Sequence, residues 1–170
     1  MIDDSAMSNE PIPPRGDHAW MQQALELADH CLRDHDEVPV AALIVDRAGQ
    51  LIASGSNRTI IDHDPTAHAE IVALREAGRY LDNYRLEGCT VYVTLEPCAM
   101  CAMAMVHARI ARLVYGASNP KAGACGSVFD LLRDPRHNHR VIVDGGILAA
   151  QAGARLSAYF REKRHQARNA

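Results

Sequence analysis

The stretch TVYVTLEPCAMCAMAMVHARI, Thr90 to Ile110, changes its character halfway along. Its first six residues are β-branched, aromatic or aliphatic and read as a buried strand. Pro97 then suits the first position of a helix, because its fixed φ fits a helical start and its missing N–H costs nothing there. ARLVYGA, Ala111 to Ala117, follows at once as a further strand. Strand, helix and strand in quick succession mark an α/β chain, and the rest of the sequence continues the alternation.

Upstream, Trp20, Ala24, Leu27 and Cys31 recur at spacings of four, three and four, which predicts an amphipathic helix from Asp17 to about Asp34–Asp36. VAALIVD (Val40 to Asp46) and LIASGSN (Leu51 to Asn57) predict two strands joined by a turn at RAGQ. Both are apolar enough to expect helices over both faces of their sheet. A helix is expected from about Thr66 to Ala77, closed by Gly78. Downstream, a short helix is expected near Val128 to Arg133, a fifth strand at RVIVDGG (Arg140 to Gly146) and a last helix from about Ile147 to His165. The 117–140 connection is long enough for a crossover, so the last two strands can run parallel. This order describes a three-layer α/β/α sandwich on a mixed five-stranded sheet.

The 170 residues, 48% hydrophobic and 23% charged, suit one domain, residues 17–168, that buries roughly 70% of its unfolded surface. Residues 1–16, with three prolines and little apolar pattern, read as a flexible leader. No apolar run approaches the ~20 residues of a membrane span, and the first residues lack a secretory pattern, so a cytoplasmic protein is expected. Five cysteines, odd in number, fit thiols kept for packing or metal in a reducing compartment. The net charge of −3 is unevenly spread. Residues 1–40 carry nine acids against two arginines, a balance of −7, whereas 155–170 carry five basic residues against Glu162, a balance of +4. A basic end of this kind is either a solvated helix face or a surface for nucleic acid.

Cys98 and Cys101, three apart at a helix opening, share one face, and the positive helix end favours their thiolates. C-x-x-C alone describes a redox pair as well as half of a zinc site. Among nine histidines, His68 in PTAHAEIVAL (Pro65 to Leu74) also stands at a helix opening and has an acid beside it. His68 and Glu70 point about 200° apart if both are helical, so they are not expected to share an ion. Glu70 is then a proton carrier beside a metal or an ordinary first-turn acid welcomed by the helix dipole. Three ligands would leave zinc one open position for a water of lowered pKa.

H-x-E followed by P-C-x-x-C is the pattern of zinc deaminases. With EVPVAA (37–42), SNR (56–58), HDPTAHAEI (63–71), NYRL (83–86), VTLEPCAMCAMAMVHARI (93–110), KAGACGS (121–127) and NHRV (138–141), the chain from Trp20 to Arg164 resembles bacterial tRNA-specific adenosine deaminases of the TadA type. The resemblance implies a cytidine deaminase-like fold and hydrolysis of adenosine to inosine at the first anticodon position. It implies one Zn2+ per subunit on His68, Cys98 and Cys101, with Glu70 as the proton shuttle. It further implies Asn57 on the flipped purine, a homodimer, and a tRNA anticodon stem-loop as partner. On that footing the amide of Ala69 is a candidate donor to developing charge, and Arg161, Lys163 and Arg164 are candidates for phosphate. Many relatives have Gly where Ala41 stands and Asp where Asn119 stands, which puts the usual nucleotide contacts of the Asn119 loop in doubt. Two rivals share the zinc residues: a deaminase of free guanine, cytosine or a nucleoside, and a non-catalytic zinc-stabilised RNA-binding module with Cys89 or Cys125 as fourth ligand.

Overall fold

The computed structural model describes residues 16–169. Residues 1–15 of the expected leader lie outside them. The order is α1 (Asp17–His35), β1 (Ala41–Val45), β2 (Leu51–Ser56), α2 (Ala69–Leu81), β3 (Thr90–Leu95), α3 (Ala99–Ala108), β4 (Arg112–Ala117), β5 (Ile142–Gly145) and α4 (Ala149–Asn169). The sheet runs β2-β1-β3-β4-β5. β1 is antiparallel to β2 and β3, while β3, β4 and β5 run parallel, so the sheet is mixed as expected.

Alternation along the strands creates the three layers, since successive side chains leave a strand on opposite faces. Ala42, Ile44, Val91, Val93 and Leu113 point one way and pack with Ala69 and Ala73 of α2 and Ala102 and Met105 of α3. Leu43, Val45, Tyr92 and Val114 point the other way and meet Trp20, Met21 and Ala24 of α1. α4 joins that second layer through Ala152, which packs with Leu25 and Ala117. Gly55 sets how closely α2 sits on the sheet: a Cβ there would lie 2.5 Å from the Ala69 carbonyl oxygen and 2.6 Å from the Ala73 nitrogen. The helix start that carries Glu70 is therefore pressed against β2.

Several expectations need correction. β1 is buried throughout, but β2 is an edge strand and leaves Leu51 and Ser54 exposed, so cover over both faces does not extend to it. α2 begins at Ala69 because His68 is extended (φ −70°, ψ 153°), and it passes through Gly78 to end at Asp82 in the left-handed region (φ 48°). Pro97 is not the first helical residue: Cys98 is the extended N-cap of α3 and the helix starts at Ala99. No helix forms over 128–133. The amides of Val128 and Phe129 both donate to the Gly123 carbonyl, and Cys125 bridges Asp130, so that backbone is spent on closing a loop. α4 starts two residues late, after Leu148 at φ 53°. No helix among the described residues is long and apolar enough to cross a membrane.

Asp17 ties the two halves of the chain together. Its carboxylate accepts two hydrogen bonds from Arg112 at 2.8 Å and one from Tyr92 at 2.8 Å, while Arg112 also pairs with Asp144 of β5. Arg112 holds the Asp17 carboxyl below its ordinary value, against partial burial and with help from Tyr92. A carboxyl depressed in the folded state adds stability that is fully present above its unfolded value of about 3.9 and is lost as pH falls through the folded value. Asp17→Asn should therefore lower unfolding stability by about 1–2 kcal/mol at pH 7. The two stability curves, followed by chemical denaturation from pH 7 to pH 2, should converge as the acid limb is descended.

Candidate metal centre and active site

Two helix openings meet at one point. His68 is the N-cap of α2 and Cys98 the N-cap of α3, both extended and neither using its side chain to cap its helix. The imidazole and thiol are thus left free for each other. His68 Nδ1 lies 3.6 Å from Cys98 Sγ and 3.5 Å from Cys101 Sγ. The three donor atoms all lie within 4.8 Å of one another. Zinc bonds of about 2.3 Å to sulfur and 2.0–2.1 Å to nitrogen, arranged tetrahedrally, place nitrogen and sulfur about 3.6 Å apart. The set therefore fits zinc without movement of the chain. Neither Cys89 nor Cys125 joins it: Cys89 is a core residue immediately before β3, and Cys125 is buried in the loop after β4.

The thiols divide their protons unequally. Cys98 is pushed down to about 4 by the hydrogen bond from Cys101 and by His68, against its burial. Cys101 holds its proton far more tightly, because it donates to Cys98, is buried and faces Glu70. His68 is raised by its bond to Cys98. A thiolate already paired with an imidazole at two helix N-termini is the chemistry a divalent cation replaces.

Because His68 is extended, the 200° separation from Glu70 does not apply. His68, Glu70, Cys98, Asn57 and Asn119 all line one cavity of 190 Å³, walled by Val38, Val40 and Leu95. Glu70 is 4% exposed, and burial lifts its carboxyl to about 7 despite its own backbone amide and the nearby His68. It can therefore hold or release a proton near neutrality. Ala69, expected as an amide donor, opens α2 directly after His68 and has its side chain buried.

Asn119 is placed by its own loop. Its amide donates to Glu96 Oε2 at 2.9 Å and its Oδ1 accepts from the Ala122 amide at 3.2 Å. An aspartate would accept that same bond, so the exchange leaves the loop geometry intact. Ala41 lies fully buried in β1, outside the positive-φ positions, so alanine there carries no backbone strain. Arg161 and Arg164 are exposed on α4 and form no ion pair among the described residues. Lys163 is different: it pairs with Asp36 and lies over the Tyr159 ring. Of the basic group expected to face phosphate, Lys163 is thus engaged with the end of α1.

Two acids went unnoticed in the sequence. Glu37 and Glu96 are only 0% and 1% exposed, and each anchors a cavity-wall loop. Glu37 accepts from the amides of Ile60 and Ile61 at 2.6 and 2.9 Å. Glu96 accepts from the amides of Asn119, Cys125 and Ser127 at 2.9–3.0 Å and from the Ser127 hydroxyl. A Cβ on Gly123 would sit 2.4 Å from the Glu96 carboxyl carbon, so the glycine makes room for it. The available signal was an acid embedded in an apolar string, EVPVAA and VTLEPC.

Comparison with known proteins places this geometry. Residues 14–117 match the model for the cytidine and deoxycytidylate deaminase zinc-binding region. The tRNA-specific adenosine deaminase of Haemophilus influenzae is 48% identical over 150 residues, covering 88% of this chain and 86% of that protein. A solved tRNA:A34 deaminase, from work on A-to-I editing at the wobble position of transfer RNA, superposes with a TM-score of 0.76 and 42% identity, over 81% of this chain and 99% of that one. A guanine deaminase of Nitrosomonas europaea superposes with a TM-score of 0.73 and 32% identity, over 89% and 88% of the two chains. The matched zinc-binding region contains His68, Cys98 and Cys101, and the chain takes one zinc ion per subunit. The chain belongs to the cytidine and deoxycytidylate deaminase family and, within it, to the tRNA-specific adenosine deaminases.

Proposed function

We propose that this protein hydrolyses adenosine to inosine and ammonia at the wobble position of a tRNA anticodon, in the cytoplasm. The observation that carries the reading is a buried Glu70 poised near neutrality in the cavity lined by His68 and Cys98 of the His68–Cys98–Cys101 donor set. Those three side chains hold zinc, which when bound supplies a Lewis acid that makes water a nucleophile at neutral pH. Glu70 takes a proton from the attacking water and delivers it to the base, and the second proton leaves with ammonia. Asn57 and Asn119 hold the flipped nucleoside at the cavity mouth, and the Ala69 amide, at the positive end of α2, donates toward developing negative charge. A base already unstacked in an anticodon loop costs little to extrude, which favours a loop over duplex RNA.

α4 supplies the phosphate contacts. Its Lys163 and Tyr159 rest on Asp36, which leads directly into Glu37 and the cavity residues Val38 and Val40. Arg161 and Arg164 are thereby carried past that side of the site with no ion-pair partner among the described residues.

The working unit is a homodimer. α3 is apolar apart from Cys101 and the exposed His107, yet Met100 is 36% exposed, and Val128 and Phe129 of the loop after β4 are 47% and 53% exposed. Exposed apolar side chains grouped in this way call for cover, and a second copy of the chain provides it.

A second reading, deamination of free guanine, has the guanine deaminase superposition in its favour. The deciding experiment offers the purified protein an anticodon stem-loop and free guanine side by side. Inosine in the RNA and no ammonia from guanine is the expected result; the reverse overturns the assignment. Glu70→Ala should lower the rate by about 10²–10⁴-fold while metal analysis still finds zinc. Arg161→Ala with Arg164→Ala should weaken stem-loop binding and flatten its log K against log salt slope by about 1–2. Sedimentation should return a dimer mass, and Phe129→Glu should shift it toward monomer.

A further inference from the structure

Glu37 has none of its surface exposed, yet no chemical step uses it. Four donors fill it. The amides of Ile60 and Ile61 reach Oε1, while Asn57 Nδ2 at 3.2 Å and the Thr59 hydroxyl at 3.4 Å reach Oε2. A carboxylate has no hydrogen to give, so Asn57 must turn its NH2 toward it, which fixes an amide orientation that geometry alone leaves ambiguous. The second N–H of that amide goes to Thr59 Oγ1 at 3.1 Å. Thr59 can accept it because its own hydrogen faces Glu37. Both amide hydrogens are thus spent, and Oδ1 accepts no hydrogen bond among the described residues. The backbone on either side is pinned as well: Asn57 N–H donates to Val40 at 3.1 Å, and Cys31 Sγ donates to the Asn57 carbonyl at 3.4 Å.

We propose that Glu37 is a positioning residue that locks the Asn57 amide so that Asn57 turns only its acceptor, Oδ1, toward a donor on the substrate. The inference rests on the reading of the cavity as a nucleoside site. Adenosine within RNA carries only two kinds of donor, the exocyclic amine and the ribose 2′-hydroxyl, since its free ring nitrogens only accept. A fixed acceptor therefore engages one of these two. The ring nitrogens gain nothing from it. Thr59 belongs to the same device, as the second acceptor that keeps the amide from turning.

The test is a double-mutant cycle on kcat/KM with the stem-loop, using wild type, Glu37→Gln, Asn57→Ala and the double variant, with zinc content measured for each. Glu37→Gln can offer an NH2 where the carboxylate stood, which turns Asn57 over. It should lower kcat/KM by about 10-fold with zinc retained, as loss of a hydrogen bond made in the transition state does. In the Asn57→Ala background the same change should cost less than about 2-fold, because there is no amide left to orient. Equal losses in both backgrounds, or no loss from Glu37→Gln alone, overturn the proposal. If Glu37→Gln unfolds or sheds zinc, Thr59→Val frees one amide hydrogen without removing the buried acid, and the same comparison with Asn57→Ala decides. Deoxyadenosine at the edited position separates the donors: a Glu37→Gln penalty that disappears with it assigns the 2′-hydroxyl, and one that persists assigns the amine. A wild-type chain that forms no inosine from a stem-loop overturns the functional reading itself, whereas an active wild type with additive losses overturns only the role of Glu37.

Discussion

Everything at the site follows from the need to hold one imidazole and two thiols about one atom, with the ring nitrogen 3.5–3.6 Å from each sulfur. Each side chain is short, so the backbone must bring them close. The fold does this with two helices that begin at the same end of the sheet, each opened by a ligand in extended conformation. The Cys101 amide in the first turn of α3 is directed to the Cys98 thiolate, and the partial positive charge of the helix end favours that deprotonated sulfur. Tight seating of α2 against Gly55 keeps one opening from drifting relative to the other.

A second constraint governs the walls. The cavity is lined largely by loops, which by themselves hold shape poorly. Two buried acids supply the missing rigidity by gathering backbone amides that no strand or helix pairs: Glu37 for the segment after β2, and Glu96 for the segment after β4. Burying a carboxylate is costly unless donors surround it, and here each acid has four. The same bonds that offset its burial hold the loop.

Period and punctuation made the fold readable. The short apolar runs of β1, β3 and β4 and the four-three-four spacing of α1 describe what each element buries, and burial is what the sheet order satisfies. His68, Cys98 and Cys101 were readable because zinc ligation demands particular side chains at particular spacings. What escaped were features set by long-range hydrogen bonding. The extended turn at His68 and Cys98 is imposed by the site, not by local propensity, so helix starts were placed too early and Glu70 was turned away from its neighbours. The 128–133 segment has helix-compatible residues, but Gly123 and Cys125 take its backbone bonds. Glu37 and Glu96 look like surface acids until the loops they collect, some twenty to thirty residues downstream, are seen folded around them.

The division of labour between anchors and linings bears on how such a cavity can be rebuilt. Segments 58–62 and 119–127 are attached to the body of the protein mainly through main-chain amides, and an amide is the same whatever side chain accompanies it. Exposed positions such as Ile60 and Ile61 are therefore open to wide redesign toward a different base or a different flanking nucleotide. Gly123 is not, since any larger residue displaces the acid beneath it. A directed-evolution library spread over those loops, with 37, 96 and 123 left alone, samples new linings on an unchanged frame.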